Sequence, residues 1–144
     1  MTERKRTDFI AIHCSATPAD MDVGEKEIRK WHKARGWKDI GYNAVIRRSG
    51  RIEIGRPLDH RGAHVAGFNS VSCGVCMIGG VDDAGDPENN FTPAQWKSLR
   101  ILSKTLALVY PGAKFRGHRD FPNVSKACPC FAAIPWAAAE GLNV

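Results

Sequence analysis

The stretch "TPAQWKSLRILSKTLALVY", residues 92–110, is the clearest regular pattern in the chain. Thr92 suits the position that caps a helix, Pro93 suits the first helical position, and Gln95 completes a capping box. Apolar side chains recur at helical spacing and predict a buried stripe of Trp96, Leu99, Leu102, Leu106 and Val109. The pair Pro111-Gly112 ends the pattern, so we expect one helix that packs a single face against the rest of the fold.

Shorter patterns on both sides of this helix predict strands and two more helices. Apolar runs of strand length cover 8–13, 71–80 and 113–118, and a β-hairpin turns at Ser49-Gly50. Residues 24–36 and 133–141 have helical character, and Ile28, Trp31, His32 and Arg35 share one face of the first of these helices. Strands and helices mixed in this way predict an α/β (α+β) fold, in which a mixed central β-sheet is flanked by helices.

The 144 residues suit one domain with one core, and we expect a basic N-terminal arm at 1–7 and a folded domain at 8–144. The chain has no apolar run long enough to span a membrane. The apolar segment "FIAI" after the basic start is too short for a signal-peptide core, so we expect a protein that is made in a cytoplasm and has no secretion signal of its own. The cysteine count is odd, and together with a reducing compartment it argues against a disulfide framework.

The net charge of +6 and the pI near 9.3 favour an anionic partner. Nucleic acid, an acidic protein surface and an acidic polymer such as cell wall all fit this charge. The sequence has no basic helix and no aromatic stacking platform, so we expect that nucleic acid is not the partner.

Two histidines and one cysteine form the strongest candidate site. His13 and His118 each follow a predicted strand, and Cys128 in "KACPCF" lies ten residues beyond His118. One histidine at a strand end is usually only a polar edge residue, but two histidines and a cysteine can hold zinc and leave one position open. Cys130 lies two positions further on, so the choice of cysteine stays open from the spacing alone.

Other titratable groups have simpler interpretations. His32 lies inside a helix beside Trp31, which favours a structural role. Cys73 and Cys76 form a CxxC motif, but they lie in a predicted strand, where positions three apart point to opposite faces. We therefore expect two core cysteines rather than a metal pair. The acidic loop around Asp82 lacks the ligand spacing of a calcium loop, which favours a solvated turn.

Several segments resemble a known family when they are taken together. These are "IHCSAT", "VGEKEIRKWHKARGWKDIGYNAVIRRSGRIEIGR", "GVCMIGGVDDAG", "NFTPAQWKSLR", "GHRDF" and "KACPCF". In order and spacing, from about residue 8 to 136, they resemble the zinc-dependent N-acetylmuramoyl-L-alanine amidases, and most of all the coliphage amidase endolysins. The resemblance implies the amidase/peptidoglycan-recognition fold, the amidase catalytic domain at 8–144, and hydrolysis of the bond between N-acetylmuramic acid and L-alanine by zinc-activated water.

The resemblance also implies roles for individual residues. Zn²⁺ would be held by His13, His118 and Cys128, and Tyr42 in "GYN" and Lys126 in "KACP" match the family's catalytic pair. His64 in "GAHVAGFN" matches a histidine that lines the substrate groove. The nearest relatives have serine where this chain has Cys130, which keeps the question of a ligand swap open.

The resemblance implies partners and a location as well. Peptidoglycan would be the substrate, and a holin-type pore would carry the protein from the host cytoplasm to the wall. One coliphage member also binds its phage RNA polymerase, and the basic segment 2–7 suggests the same partner here. We expect a monomer that binds neither nucleic acid nor membrane.

Three alternatives remain open at this level. A cysteine hydrolase would use Cys14 or Cys128 with a histidine and would need no metal. A non-catalytic protein would recognise peptidoglycan or bind the polymerase without turnover. A nucleic-acid binder is suggested by charge alone.

Overall fold

A computed structural model describes residues 2–144 of the protein. Its elements in chain order are β1 (Phe9–Cys14), α1 (Glu25–Ala34), β2 (Ala44–Ile46), β3 (Ile52–Ile54), β4 (Ser72–Met77), α2 (Pro93–Val109), β5 (Lys114–Gly117), a 3₁₀ helix (His118–Asp120) and α3 (Ala133–Ala139).

The strands form one mixed five-stranded sheet in the order β3-β2-β4-β1-β5. β1 runs parallel to both β4 and β5, β2 runs parallel to β4, and β3 pairs with β2 as the predicted antiparallel hairpin. The predicted α/β fold with a mixed central sheet is confirmed. Parallel strands bring their carboxyl ends to the same edge of a sheet, so the residues that close β1 and β5 lie near one another.

The two faces of the sheet have different compositions. On the α2 face, Ile10 and Ile12 of β1 pack in the main core with Leu99 and Leu106 of α2 and with α3. On the α1 face, Ile28 of α1 packs in a smaller cluster. Side chains alternate along a strand, so His13 points to the α1 face although both of its neighbours point to the α2 face.

The predicted start of α2 is confirmed. The Gln95 amide N–H donates to the Thr92 hydroxyl (3.1 Å), and the Thr92 amide N–H donates to the Gln95 side-chain oxygen (2.9 Å). Leu99, Leu102 and Leu106 are buried as expected, but Val109 is 59% exposed. The placement of Val109 in the stripe was wrong because the helix ends there, and Tyr110, whose backbone leaves the helical path, packs on the core instead.

The helix predicted at 24–36 is confirmed as α1, but its buried face is narrower than expected. Only Ile28 and His32 are buried, whereas Trp31 is 38% exposed and Arg35 is exposed. These two side chains border a groove rather than a core. The two cysteines of the CxxC motif are buried in separate clusters on opposite faces of β4, as predicted.

Part of the basic segment 2–7 is packed on the domain. The Arg4 guanidinium donates to the carbonyl oxygens of Leu58 and His60 and lies over the ring of Tyr110. Lys5 and Arg6 are exposed. The boundary between an arm and a catalytic domain at residue 7 stays a prediction. Across residues 2–144, none of the helices is both long and apolar enough to cross a membrane.

Candidate active site

His13 anchors the site from the end of β1. Its side chain is 1% exposed, and its Nδ1 atom lies 3.9 Å from Cys128 Sγ. The ring of His118 lies 4.6 Å from the ring of His13, centroid to centroid. Thus the strand ends bring together the three side chains that the sequence suggested as metal ligands.

The ligand atoms of His13, His118 and Cys128 all lie within 4.8 Å of one another. Zinc bound tetrahedrally by nitrogen and sulfur at about 2.0–2.3 Å would place such atoms roughly 3.5 Å apart. The distance of 3.9 Å between His13 Nδ1 and Cys128 Sγ is close to this value. Imidazole nitrogen and thiolate sulfur are also the donors that zinc favours. The residues present therefore fit a zinc ion.

The loop that contains Cys128 is tied to the strand ends by backbone hydrogen bonds. The Cys14 amide N–H donates to Cys128 Sγ (3.2 Å), and the Arg119 amide N–H donates to the Cys128 carbonyl oxygen (2.9 Å). The first bond places the partial positive charge of an amide N–H group beside the sulfur. The second attaches the loop to the 3₁₀ helix. Both hold the sulfur beside the two histidines.

Cys130 lies against a different partner. Its Sγ atom is 3.7 Å from Cys14 Sγ, and both residues pack with the core on the α2 face. Burial raises the pKa of the Cys130 thiol to about 12. The hydrogen bond with Cys128, followed by burial, raises the pKa of the Cys14 thiol as well. A neutral, buried Cys14 is a poor nucleophile, which argues against the cysteine-hydrolase alternative for that residue.

The histidines of the site are held in the neutral form. Burial is the main cause that lowers the pKa of His13, with further contributions from His64, His118 and Lys126. Burial followed by the charge of Lys126 lowers the pKa of His118. Neutral imidazole is the form that binds a metal ion, so the environment favours ligation near neutral pH.

Tyr42 and Lys126 lie beside the cluster. Tyr42 precedes β2, and its ring lies 5.1 Å from the ring of His13, centroid to centroid. Burial is the main cause that raises the pKa of the Tyr42 hydroxyl, with a further contribution from Cys76 and Cys128. Lys126 precedes Cys128 by two residues and borders the same hollow as His118 and Tyr42.

His64 lies next to His13 on the α1 face. His64 Nδ1 is 2.9 Å from His13 Nε2, and the residue is 8% exposed. Burial lowers the pKa of His64 to about 3. The structure therefore brings His64 to the cluster, although mostly beneath the surface of the groove rather than on it.

The groove above the cluster consists of two adjoining hollows of about 190 and 380 Å³. Trp31, Arg35 and Trp37 line it, and the sequence interpretation missed all three as groove residues. The sequence contained a signal for two of them. Trp31 and Arg35 share a predicted helix face with Ile28, and a face that includes an arginine is not expected to be buried along its whole length. A larger hollow of about 630 Å³ lies at the edge of β5, and none of the candidate site residues lines it.

Three nitrogen and sulfur ligand atoms at the floor of a groove are typical of zinc hydrolases. The family model of N-acetylmuramoyl-L-alanine amidase matches residues 3–131. The endolysin of Klebsiella phage KP32 is 52% identical over 94% of this chain and 88% of its own length. The endolysin of Escherichia phage T7 is 48% identical over 93% and 87%. The solved structure of the amidase LysC from Clostridium intestinale superposes with a TM-score of 0.78, at 28% identity over 95% and 87%.

The chain therefore belongs to the N-acetylmuramoyl-L-alanine amidase family. It is an amidase of the phage endolysin type, which cleaves the amide bond between N-acetylmuramic acid and L-alanine in peptidoglycan. The expected family, fold and activity are confirmed.

Proposed function

We propose that His13, His118 and Cys128 hold a zinc ion that this amidase needs for turnover. The observation that carries the proposal is the convergence of these three ligand atoms within 4.8 Å at the floor of the groove. When bound, zinc supplies Lewis acidity, which polarises an amide carbonyl and lowers the pKa of water.

The remaining steps belong to side chains beside the cluster. Attack of water on the amide carbon places negative charge on the former carbonyl oxygen, and the ammonium group of Lys126 stabilises that charge from the groove. The C–N bond then breaks, and the proton that the water gives up goes to the departing amino group of L-alanine. Tyr42, whose ring lies beside the ring of His13, donates a hydrogen bond from its hydroxyl that orients the reacting groups. Arg35 and Lys126 also give the groove a positive charge that suits the carboxylates of a peptide stem.

The role of His64 in substrate binding stays a prediction from the family resemblance. His64 contributes to the lining of the groove, and its low exposure limits contact with the substrate to the ring edge. A raised KM in a His64 variant that is measured while fully loaded with zinc would support this role.

Metal analysis of the purified protein, combined with mass analysis of a peptidoglycan digest, tests the proposal. We expect one zinc per chain and released stem peptides with a free L-alanine amino group, whereas the glycan strands stay uncut. The variant His13→Ala lacks one of the proposed ligands and should lose both zinc and turnover. Full activity after complete removal of metal by a chelator, or new reducing sugar ends without new amino termini, would refute the proposal.

The route to the wall is part of the same proposal. The protein accumulates in the host cytoplasm and reaches peptidoglycan through a holin-type pore. Wall digestion in cells that produce the protein should therefore begin only when such a pore is also produced. Lysis at the same time with and without the pore would contradict this route.

The proposed second partner is the phage RNA polymerase, bound through the basic segment 2–7 as a monomer. Deletion of the whole segment is a poor test because Arg4 is packed against Leu58 and His60. The double variant Lys5→Ala/Arg6→Ala changes only exposed side chains. It should weaken capture of the cognate polymerase and leave wall digestion unchanged. No capture by the unaltered chain would remove this partner, and a dimer by light scattering would contradict the monomer.

A further inference from the structure

A chain of hydrogen bonds connects His13 to the backbone of the sheet on the α1 face. His13 Nε2 is 2.9 Å from His64 Nδ1, and His64 Nε2 is 3.4 Å from the Ser72 hydroxyl. The Ser72 hydroxyl in turn donates to the Phe68 carbonyl oxygen (2.8 Å). All three side chains in this relay, His13, His64 and Ser72, are at most 8% exposed.

Only one arrangement of protons satisfies the whole relay when His13 binds a metal through Nδ1. His13 Nδ1 faces Cys128 Sγ and must be unprotonated, so its proton is on Nε2 and is donated to His64 Nδ1. The proton of neutral His64 is then on Nε2 and is donated to Ser72. Since the Phe68 carbonyl can only accept, the direction of the relay is fixed from that end.

The ring of His64 lies in a cradle made by two glycines. A Cβ atom at Gly74 would lie 2.8 Å from His64 Cγ, and a Cβ atom at Gly62 would lie 2.6 Å from His64 Cδ2. The side-chain oxygen of Asn69 accepts hydrogen bonds from the amide N–H groups of His64 and Val65. Ring and backbone are thus both held in place.

We propose that His64, oriented by Ser72, is a positioning residue that fixes the tautomer and ring orientation of His13 and thereby tightens zinc binding. This inference rests on the proposed zinc site. Both ring nitrogens of His64 are engaged with protein groups, so its contribution passes through His13 and not through a hydrogen bond to substrate. Partners of this kind behind a metal-bound histidine typically change metal affinity about 10–100-fold.

Two replacements of His64 separate the relay from simple packing. His64→Leu fills the cradle without an acceptor, and zinc affinity should fall about 10–100-fold. His64→Asn places a side-chain oxygen near the former Nδ1 position, so it should restore affinity to within a few-fold of the unaltered protein. Ser72→Ala removes only the far end of the relay and should give an intermediate loss. Affinity is measured by competition with a chromophoric chelator, and cobalt absorption spectra report the ligand geometry.

Each outcome decides the question. If the unaltered protein binds no zinc, the proposed site and the relay both fail. If it binds zinc and His64→Leu binds it equally well, or if His64→Asn is as weak as His64→Leu, only the relay fails. If His64→Leu does not fold, as judged by circular dichroism, Ser72→Ala decides: unchanged affinity and an unchanged cobalt spectrum overturn the inference, and a weaker affinity with an altered spectrum supports it.

Discussion

The two faces of the central sheet differ in what they bury. The α2 face buries a large apolar cluster that includes Leu99, Leu102 and Leu106, and no histidine belongs to this cluster. The α1 face buries the three imidazole side chains His13, His32 and His64. Side chains of successive residues in β1 point to opposite faces of the sheet, so one strand contributes to the apolar core on one face and to the candidate site on the other. We therefore expect changes on the α2 face to affect mainly stability, and changes on the α1 face, which contains the proposed zinc site, to affect mainly turnover.

The largest expected effect comes from changes to the chemistry of the α1 face that leave the ligands in place. Tyr42→Phe and Lys126→Ala should keep zinc and fold but lower kcat about 100- to 1000-fold, because each removes a group that we propose to act on the reacting amide. Zinc content, thermal unfolding and initial rates of peptidoglycan digestion measure the three properties. Near-normal rates in both variants would assign these residues to structure and weaken the contrast between the faces.

A cavity in the core on the α2 face should lower stability and leave the zinc content unchanged. Leu99→Ala removes a fully buried side chain and should lower the free energy of unfolding by about 2–5 kcal/mol. Leu108→Ala on the same helix is the control, because Leu108 is 84% exposed and should change stability by less than about 0.5 kcal/mol. The zinc content of the folded protein should be unchanged in both. Loss of zinc from folded Leu99→Ala would show that the faces are coupled.

A fall in pH should lower the stability of the fold through a buried histidine on the α1 face. Burial, with help from Arg35 and Arg56, lowers the pKa of His32 to about 4, and His32 Nδ1 accepts a hydrogen bond from the Gly41 amide N–H (2.8 Å). A lowered folded pKa gives stability that is present above the ordinary value near 6.5 and is lost as pH falls towards 4. His32→Gln should flatten the dependence of unfolding on pH by up to about 1.4 kcal/mol per pH unit within this window. Urea unfolding of both proteins at pH 5 and pH 7 measures how much the free energy of unfolding changes between the two pH values. An equal change in His32→Gln and in the unaltered protein would contradict the prediction.

The smallest effect concerns the cysteine that belongs to the α2 face. Cys130→Ser should leave zinc content and turnover within about twofold of the unaltered protein, because Cys130 Sγ packs on Cys14. Cys128→Ser is the matched variant and should lose zinc. If the two variants behave the other way round, Cys130 is the ligand and the division between the faces is wrong at this point.

Local patterns were enough for most of the fold. The cap at Thr92, the hairpin at Ser49-Gly50 and the opposite orientations of Cys73 and Cys76 depend on neighbours in the chain, so the sequence predicted them. The exposure of Val109 was missed because a helical pattern does not say where the helix passes the edge of the sheet.

The candidate ligands were also accessible from the sequence, since His13, His118 and Cys128 occur in motifs with a recognisable order and spacing. What only the tertiary structure decided is which groups face one another. Cys128 and Cys130 are two residues apart, yet the sulfur of Cys128 lies 3.9 Å from His13 Nδ1, whereas the sulfur of Cys130 lies against the sulfur of Cys14. Likewise, nothing local connects His64 to both His13 and Ser72. The physical reason is that these contacts join separate strands and loops, and their geometry is set by how the strands pair and how the loops pack on the sheet.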